Sequence, residues 1–301
     1  MTMQDKNLGI MMYIDNSQRM LKEFDWIYKS WIYSGCWATS DLIVVHHPAL
    51  SEQLPKEPGI ILIPQEPFSQ GSPQFHGYNF INSIACLIGP HIDPILKQYQ
   101  WLLRTDADVF LTPNMANFKP NFPVYGRGNY YFLAEFREKM LDFCHRHGVE
   151  HRHRFGCGHS VILSTELMIP FLQRQMYWCQ QLVEEFGTDK TNWGTWPGWY
   201  RGVLSMYAAE ITANERWEDY LRNSRERILD MESFNDNVID TLTLHIHASQ
   251  VDNDFSKYRY FEGKYDGIDP DTLDRNRIPQ YCMWICLTSI EDIKAQAGYP
   301  W

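Results

Sequence analysis

Leu102-Leu103-Arg104-Thr105-Asp106-Ala107-Asp108-Val109-Phe110-Leu111 is an apolar run broken by two acids one residue apart. It reads as a strand that gives way to a loop and resumes, with two carboxylates held where the strand ends. Alternation along an extended chain puts Asp106 and Asp108 on one side. Hard divalent cations take such oxygens, and Mg²⁺ or Mn²⁺ held by one or two carboxylates keeps its other positions for water and phosphate oxygens. A bare Asp-x-Asp often marks only a turn, so its position in the chain carries the argument.

Upstream, strand-like and helix-like runs alternate. Gly9 to Ile14 is apolar and stops at Asp15-Asn16-Ser17, where Ser17 is placed to cap a helix running through Trp31. Asp41 to Val45 and Gly59 to Ile63 are unbroken runs rich in β-branched residues, as expected of strands buried on both faces of a parallel sheet. Tyr78 to Leu87 repeats at helical spacing, and a fourth strand from Tyr99 leads into the acidic pair. The expected fold class is therefore α/β, a single Rossmann-like domain with a mostly parallel central sheet flanked by helices. Ligands of such sheets sit beyond the carboxyl ends of the strands, where Asp15, His46-His47, Gln65-Glu66 and Asp106/Asp108 all fall. Downstream the sequence predicts a strand from Ser160 to Leu163, helices over 166–186 and 202–215, a strand from Leu242 to Ala248, and a turn-rich tail.

In that last strand, Leu242-Thr243-Leu244-His245-Ile246-His247 alternates polar and apolar residues. Both histidines then project from one face, placed to complete a metal shell, while Leu242, Leu244 and Ile246 pack inward. Lys257, Arg259 and Lys264 follow as cations suited to a leaving diphosphate. The chain has 44 aromatic residues among 301, concentrated in Asn192-Trp193-Gly194-Thr195-Trp196-Pro197-Gly198-Trp199-Tyr200-Arg201. Sugars offer flat C–H faces to such rings, which makes Trp196, Trp199 and Tyr200 acceptor-site candidates, against a structural corner that turns its tryptophans inward. His145 to Arg154 is the strongly basic segment and reads as a solvated connection that neutralises nearby acids.

Composition narrows the partners. The formal net charge is −10, which argues against a surface that tracks nucleic acid. Seven cysteines without a Cys-x-x-Cys pair read as reduced, buried thiols. The start, Met1-Thr2-Met3-Gln4-Asp5-Lys6-Asn7, lacks the form of a secretory signal, and no apolar run approaches the roughly 18–20 residues of a membrane span. A soluble, cytoplasmic protein without a transmembrane segment is expected.

Together these residues resemble a GT-A fold glycosyltransferase, the nucleotide-sugar-dependent class with a metal-binding Asp-x-Asp motif. The resemblance runs from Leu8 to about His247 and includes the Gly-containing segment Gly156-Cys157-Gly158-His159-Ser160. It implies one glycosyltransferase domain, with residues 1–112 as the nucleotide-sugar half, 113–250 as the acceptor half and 251–301 packing on them. It implies transfer of a sugar from a nucleotide sugar, with UDP preferred, to an oligosaccharide or glycoprotein glycan. Tyr13 and Asp15 inherit contacts to the nucleoside, with Arg104, Asp106, Gly158, His159, Lys257 and Lys264 around the donor. Asp106, Asp108 and His245 or His247 hold Mn²⁺ or Mg²⁺. The residues after the histidines, Ala248-Ser249, depart from the aromatic-then-glycine pattern of the retaining subclass. An inverting enzyme needs a carboxylate base, for which Glu210, breaking an apolar helix face, and Asp254 are candidates. Two competing readings are a haloacid-dehalogenase-type phosphohydrolase and a non-catalytic carbohydrate-binding protein. The first normally carries Thr or Val four residues after the first Asp of a motif that opens its domain; here that position is Phe110.

Overall fold

The computed structural model describes residues 6–126, 128, 133–152, 156–194, 198–216, 228–234 and 236–301. Its centre is a six-stranded sheet in the order β3-β2-β1-β4-β7-β6. β1 (Leu8–Ile14), β2 (Ser40–His46), β3 (Ile60–Pro64) and β4 (Trp101–Arg104) are parallel, while β7 (Val161–Ser164) and β6 (Val124–Tyr125) complete the sheet antiparallel. The expected α/β architecture with a mostly parallel sheet is what the chain adopts.

Alternation along the strands divides the apolar residues between two layers. Met11 and Tyr13 of β1, with Ile43 and Val45 of β2, face a core shared with α2 (Asn82–Ala85), α5 (Ala134–Arg146), α6 (Thr165–Phe186) and α7 (Leu204–Glu215). Ile10, Met12 and Ile14, with Leu42 and Val44, face the opposite layer, which contains α1 (Gln18–Tyr33) and the helices Ile278–Leu287 and Ile290–Ala297. Strands covered on both faces need apolar residues at every position, which explains their unbroken runs. The Ser17 side chain caps α1 by accepting from the Met20 N–H at 3.4 Å. The turn-rich tail that the sequence suggests is instead largely helical, and it packs on α1 through Tyr33 and Trp284, whose ring centroids are 4.4 Å apart. All seven cysteines are free and buried.

The acidic motif lies where the chain leaves this sheet for a second one. After β4 it bends through residues 105–108 and resumes as β5 (Val109–Leu111), in a three-stranded sheet ordered β5-β9-β8. The extended geometry therefore breaks between the two aspartates, and they part company. β9 is short, His245–His247, because Leu242 is exposed and the chain before Leu244 is a turn tied to Asp240. It pairs antiparallel with β5, setting His247 opposite Val109, and parallel with β8 (Met231–Glu232). Among the described residues no helix is long and apolar enough to cross a membrane.

Candidate metal centre at the end of the fourth strand

Arg104, the last residue of β4, is buried and organises the first half of the site. Its guanidinium donates to Asp106 Oδ1 at 3.1 Å, to Ser83 Oγ of α2 at 3.2 Å and to the carbonyl of His159. Asp106 Oδ2 lies 3.4 Å from His159 Nδ1. The His159 ring stacks on that of His247 at 4.2 Å, with the planes 16° apart. One donor atom from each of Asp106, His159 and His247 falls within 4.8 Å of the others, a separation that one divalent cation can span. The Asp106 side chain is a third exposed and that of His159 a quarter exposed, so the cluster faces solvent. Burial opposes ionisation of Asp106, but Arg104 and His159 outweigh it and hold its carboxyl down at about 2.

Asp108 is placed quite differently. It is buried, its Oδ2 accepts from Lys257 Nζ at 2.5 Å, and its Oδ1 lies 3.5 Å from His247 Nε2. Lys257 opens the short helix Lys257–Phe261 and also approaches Glu23 of α1 at 3.7 Å. α1 turns Glu23 inward along the face that carries Trp26 and Ser30, which engage Phe110 and the Leu111 N–H of β5. Despite burial, Lys257 and His247 keep the Asp108 carboxyl well below the usual carboxylate range. Burial alone would lower the His247 pKa, yet Asp108 raises it to about 9. The expectation that both aspartates face one ion is thus corrected: Asp108 is neutralised from inside the protein.

His245 is corrected as well. It is fully buried, its Nδ1 accepts from the Asp230 N–H at 3.1 Å, and its Nε2 meets Thr105 Oγ1 at 2.8 Å. An Nδ1 that accepts fixes the Nε2–H tautomer, so both ring nitrogens are used internally. Burial pushes its pKa down to about 4, which keeps it neutral. Ser160 Oγ, at 3.4 Å, and Asp230 Oδ1, at 3.5 Å, complete an arrangement that resembles a nucleophile triad. The tautomer is wrong for a general base, and Thr105 and Ser160 are buried. Its role is structural.

The segment that delivers His159 is held by two buried carboxylates. Asp230 Oδ2 accepts from the N–H groups of His159 at 2.8 Å and Ser160 at 2.9 Å. Glu210 Oε2 accepts from the Cys157 N–H at 3.0 Å, and its Oε1 lies 3.2 Å from His151 Nε2. Cys157 has φ of 62°, a strained value for a residue with a Cβ, and the hydrogen bond from its N–H to Glu210 holds it there. Glu210 interrupts the apolar face of α7 to make this anchor. It has no exposed surface, which overturns its expected role as the base that meets an acceptor.

The remaining expected residues scatter. Tyr13 is a core residue beneath the end of β1, Asp15 is half-buried just beyond it, and Gly158 is buried within the anchored segment. Asp254 and Lys264 are exposed on either side of the Lys257 helix. Trp199 packs inward between Phe136, Phe186 and Tyr207, the structural-corner alternative, while Tyr200 is half-buried. Trp196 lies outside the described residues. Of the basic stretch, Arg146 pairs with Asp142 and Glu185, and His151 with Glu210; 153–155 are not described. The sequence reading missed Glu23 and Asp230. The signal for Glu23 was an acid on the apolar side of a helix; Asp230, after only two apolar residues, gave none.

Fold and site define an α/β protein that presents a carboxylate–imidazole centre at the carboxyl edge of its parallel strands. The chain belongs to the DUF7164 family, a domain of unknown function, which it matches over residues 34–294. No curated protein matches it in sequence. Among solved structures it is similar to the mannosyltransferase Ktr4p from S. cerevisiae in complex with GDP, with a TM-score of 0.36 and 10% identity, covering 70% of this chain and 67% of that one.

Proposed function

We propose that this protein is a divalent-cation-dependent glycosyltransferase that uses a nucleoside-diphosphate sugar. The observation that carries the reading is the Asp106/His159/His247 cluster, open to solvent at the end of β4 and next to the end of β1, where Tyr13 and Asp15 stand. In open parallel sheets this edge is where nucleotides bind. Of the two cations that the sequence resemblance implies, the residues fit Mn²⁺, with Asp106, His159 and His247 as its holders. Bound there, it would offset negative charge on a departing diphosphate.

The protein's own groups supply the rest. Arg104 fixes Asp106 in its ionised form, and the anchored 156–160 segment keeps His159 beside it. Lys264 is the exposed cation for phosphate oxygens, since Lys257 is committed to Asp108. Asp254, exposed near the Lys257 helix, is the carboxylate left to take a proton from an acceptor hydroxyl. Tyr258 and Phe261 are exposed on that helix, unlike the buried Trp199, and the Arg19 guanidinium lies over both rings.

UDP is the nucleotide implied by the sequence resemblance, and the test titrates GDP beside it. Calorimetry with each nucleotide plus Mn²⁺, and a hydrolysis panel of nucleotide sugars, should show cation-dependent binding and slow donor cleavage. Both should vanish in Asp106→Ala. Binding unaffected by Asp106→Ala, or no nucleotide bound at all, would sink the reading.

A further inference from the structure

The cluster's composition says which cations it takes. Mg²⁺ demands oxygen ligands in near-octahedral order, and Ca²⁺ takes six to eight of them. Here two of the three converging groups are imidazoles, and the second carboxylate of the motif is withdrawn. Asp108 is buried against Lys257 at 2.5 Å, and Lys257 is itself held by Glu23. A cation joining Asp108 would have to displace an ammonium that two carboxylates share. His245, the other imidazole of β9, spends both nitrogens on Thr105 and the Asp230 amide. Among the described residues the donor set is therefore one carboxylate oxygen and two ring nitrogens, and the Asp106 and His159 side chains are partly exposed.

We propose that Asp106, His159 and His247 form a single-ion site for divalent first-row transition metals, the Mn²⁺, Fe²⁺, Co²⁺ and Zn²⁺ class, that rejects Mg²⁺ and Ca²⁺, with Lys257 serving as the built-in counter-cation of Asp108. Imidazole nitrogen suits Fe²⁺, Co²⁺ and Zn²⁺, Mg²⁺ and Ca²⁺ keep to oxygen, and Mn²⁺ is the weakest of the transition ions on a fixed nitrogen and oxygen set, whose affinity rises through Fe²⁺ to Co²⁺. The histidines are held for this in advance: two backbone N–H groups donate to Asp230 and one to Glu210, fixing the segment bearing His159, and pairing with β5 fixes His247. The location of the site is shared with the function proposed above, while the choice of ion is independent of it. A protein that binds Co²⁺ as described yet ignores nucleotides would refute the transferase and leave this inference standing.

The test uses the full chain stripped with chelator, then titrated with Co²⁺ and followed by visible absorption. One Co²⁺ per chain with ligand-field bands is expected, displaced by Zn²⁺ but not by a hundredfold excess of Mg²⁺. Asp106→Asn, His159→Asn and His247→Asn should each weaken binding at least tenfold. Displacement of Co²⁺ by Mg²⁺ at comparable concentration, or Co²⁺ affinity unchanged in any of the three variants, overturns the proposal. Because variants can fail to fold, pulsed EPR of Mn²⁺ on the wild-type protein gives a second reading: couplings from two directly bound imidazole nitrogens support it, and their absence overturns it.

Discussion

Asp106 and Asp108 are two residues apart, yet one serves the surface and the other the interior. Asp106 keeps a third of its side chain in solvent and shares its charge with Arg104 and His159. Asp108 is buried in a network with Lys257, Glu23 and His247 that bridges α1, the second sheet and the Lys257 helix. The difference arises from the bend between them, where the chain passes from one sheet to the other. An acidic motif in sequence is therefore not one chemical unit in space.

The contrast is most exposed to test at Lys257. Lys257→Met takes from the buried Asp108 and Glu23 the ammonium they share, leaving Asp108 only His247 and Glu23 only Arg19, and urea unfolding should show a loss of about 3 kcal/mol. Asp106→Asn, at a partly exposed pair, should stay within about 1 kcal/mol in the same assay. Reversal of that order would mean that the two acids have been assigned to the wrong sides.

A smaller effect is expected at Gly126. A Cβ there would stand 1.8 Å from Asp230 Oδ2 and 3.1 Å from the Ser160 carbonyl, pushing aside the carboxylate that holds the His159 segment. Gly126→Ala should cost about 1–3 kcal/mol and loosen Co²⁺ binding as well. A variant as stable and as tight as the wild type would show that Asp230 does not position His159.

The subtlest test uses the two histidines of β9, which share a strand face but shift in opposite directions. His245, pushed down to about 4, binds fewer protons folded than unfolded between that value and 6.5. Its contribution to stability is thus lost as pH falls through that window. His247, raised to about 9, contributes fully below 6.5 and loses that contribution as pH rises through 9. With chelator present, Tm should fall on both sides of about pH 6.5. His245→Gln should flatten the acid limb and His247→Gln the alkaline one; the converse assignment would contradict the placement of both rings.

Much of this was legible in order along the chain. The runs Asp41 to Val45 and Gly59 to Ile63 announced strands covered on both faces, Ser17 announced the cap of α1, and Asp106 stood at the end of the fourth strand as expected. His159 was expected among the donor contacts and not as a partner of His247, because their stacking requires β9 to pair with β5 across more than 130 residues of chain. Glu210 misled for a related reason. A carboxylate in an apolar helix face signals a buried partner, and that partner was a backbone amide, which every residue carries and no sequence pattern distinguishes.

By itself, then, the sequence determined the elements, the mostly parallel sheet and the edge at which polar residues collect, since periodicity and capping are local properties of the chain. Only the tertiary structure decided which charge meets which. Lys257 reaches Asp108, Asp230 reaches the His159 amide, and His245 turns inward, because electrostatic partnership depends on distance and solvent exclusion, both created when distant segments close around the bend at Asp106 to Asp108.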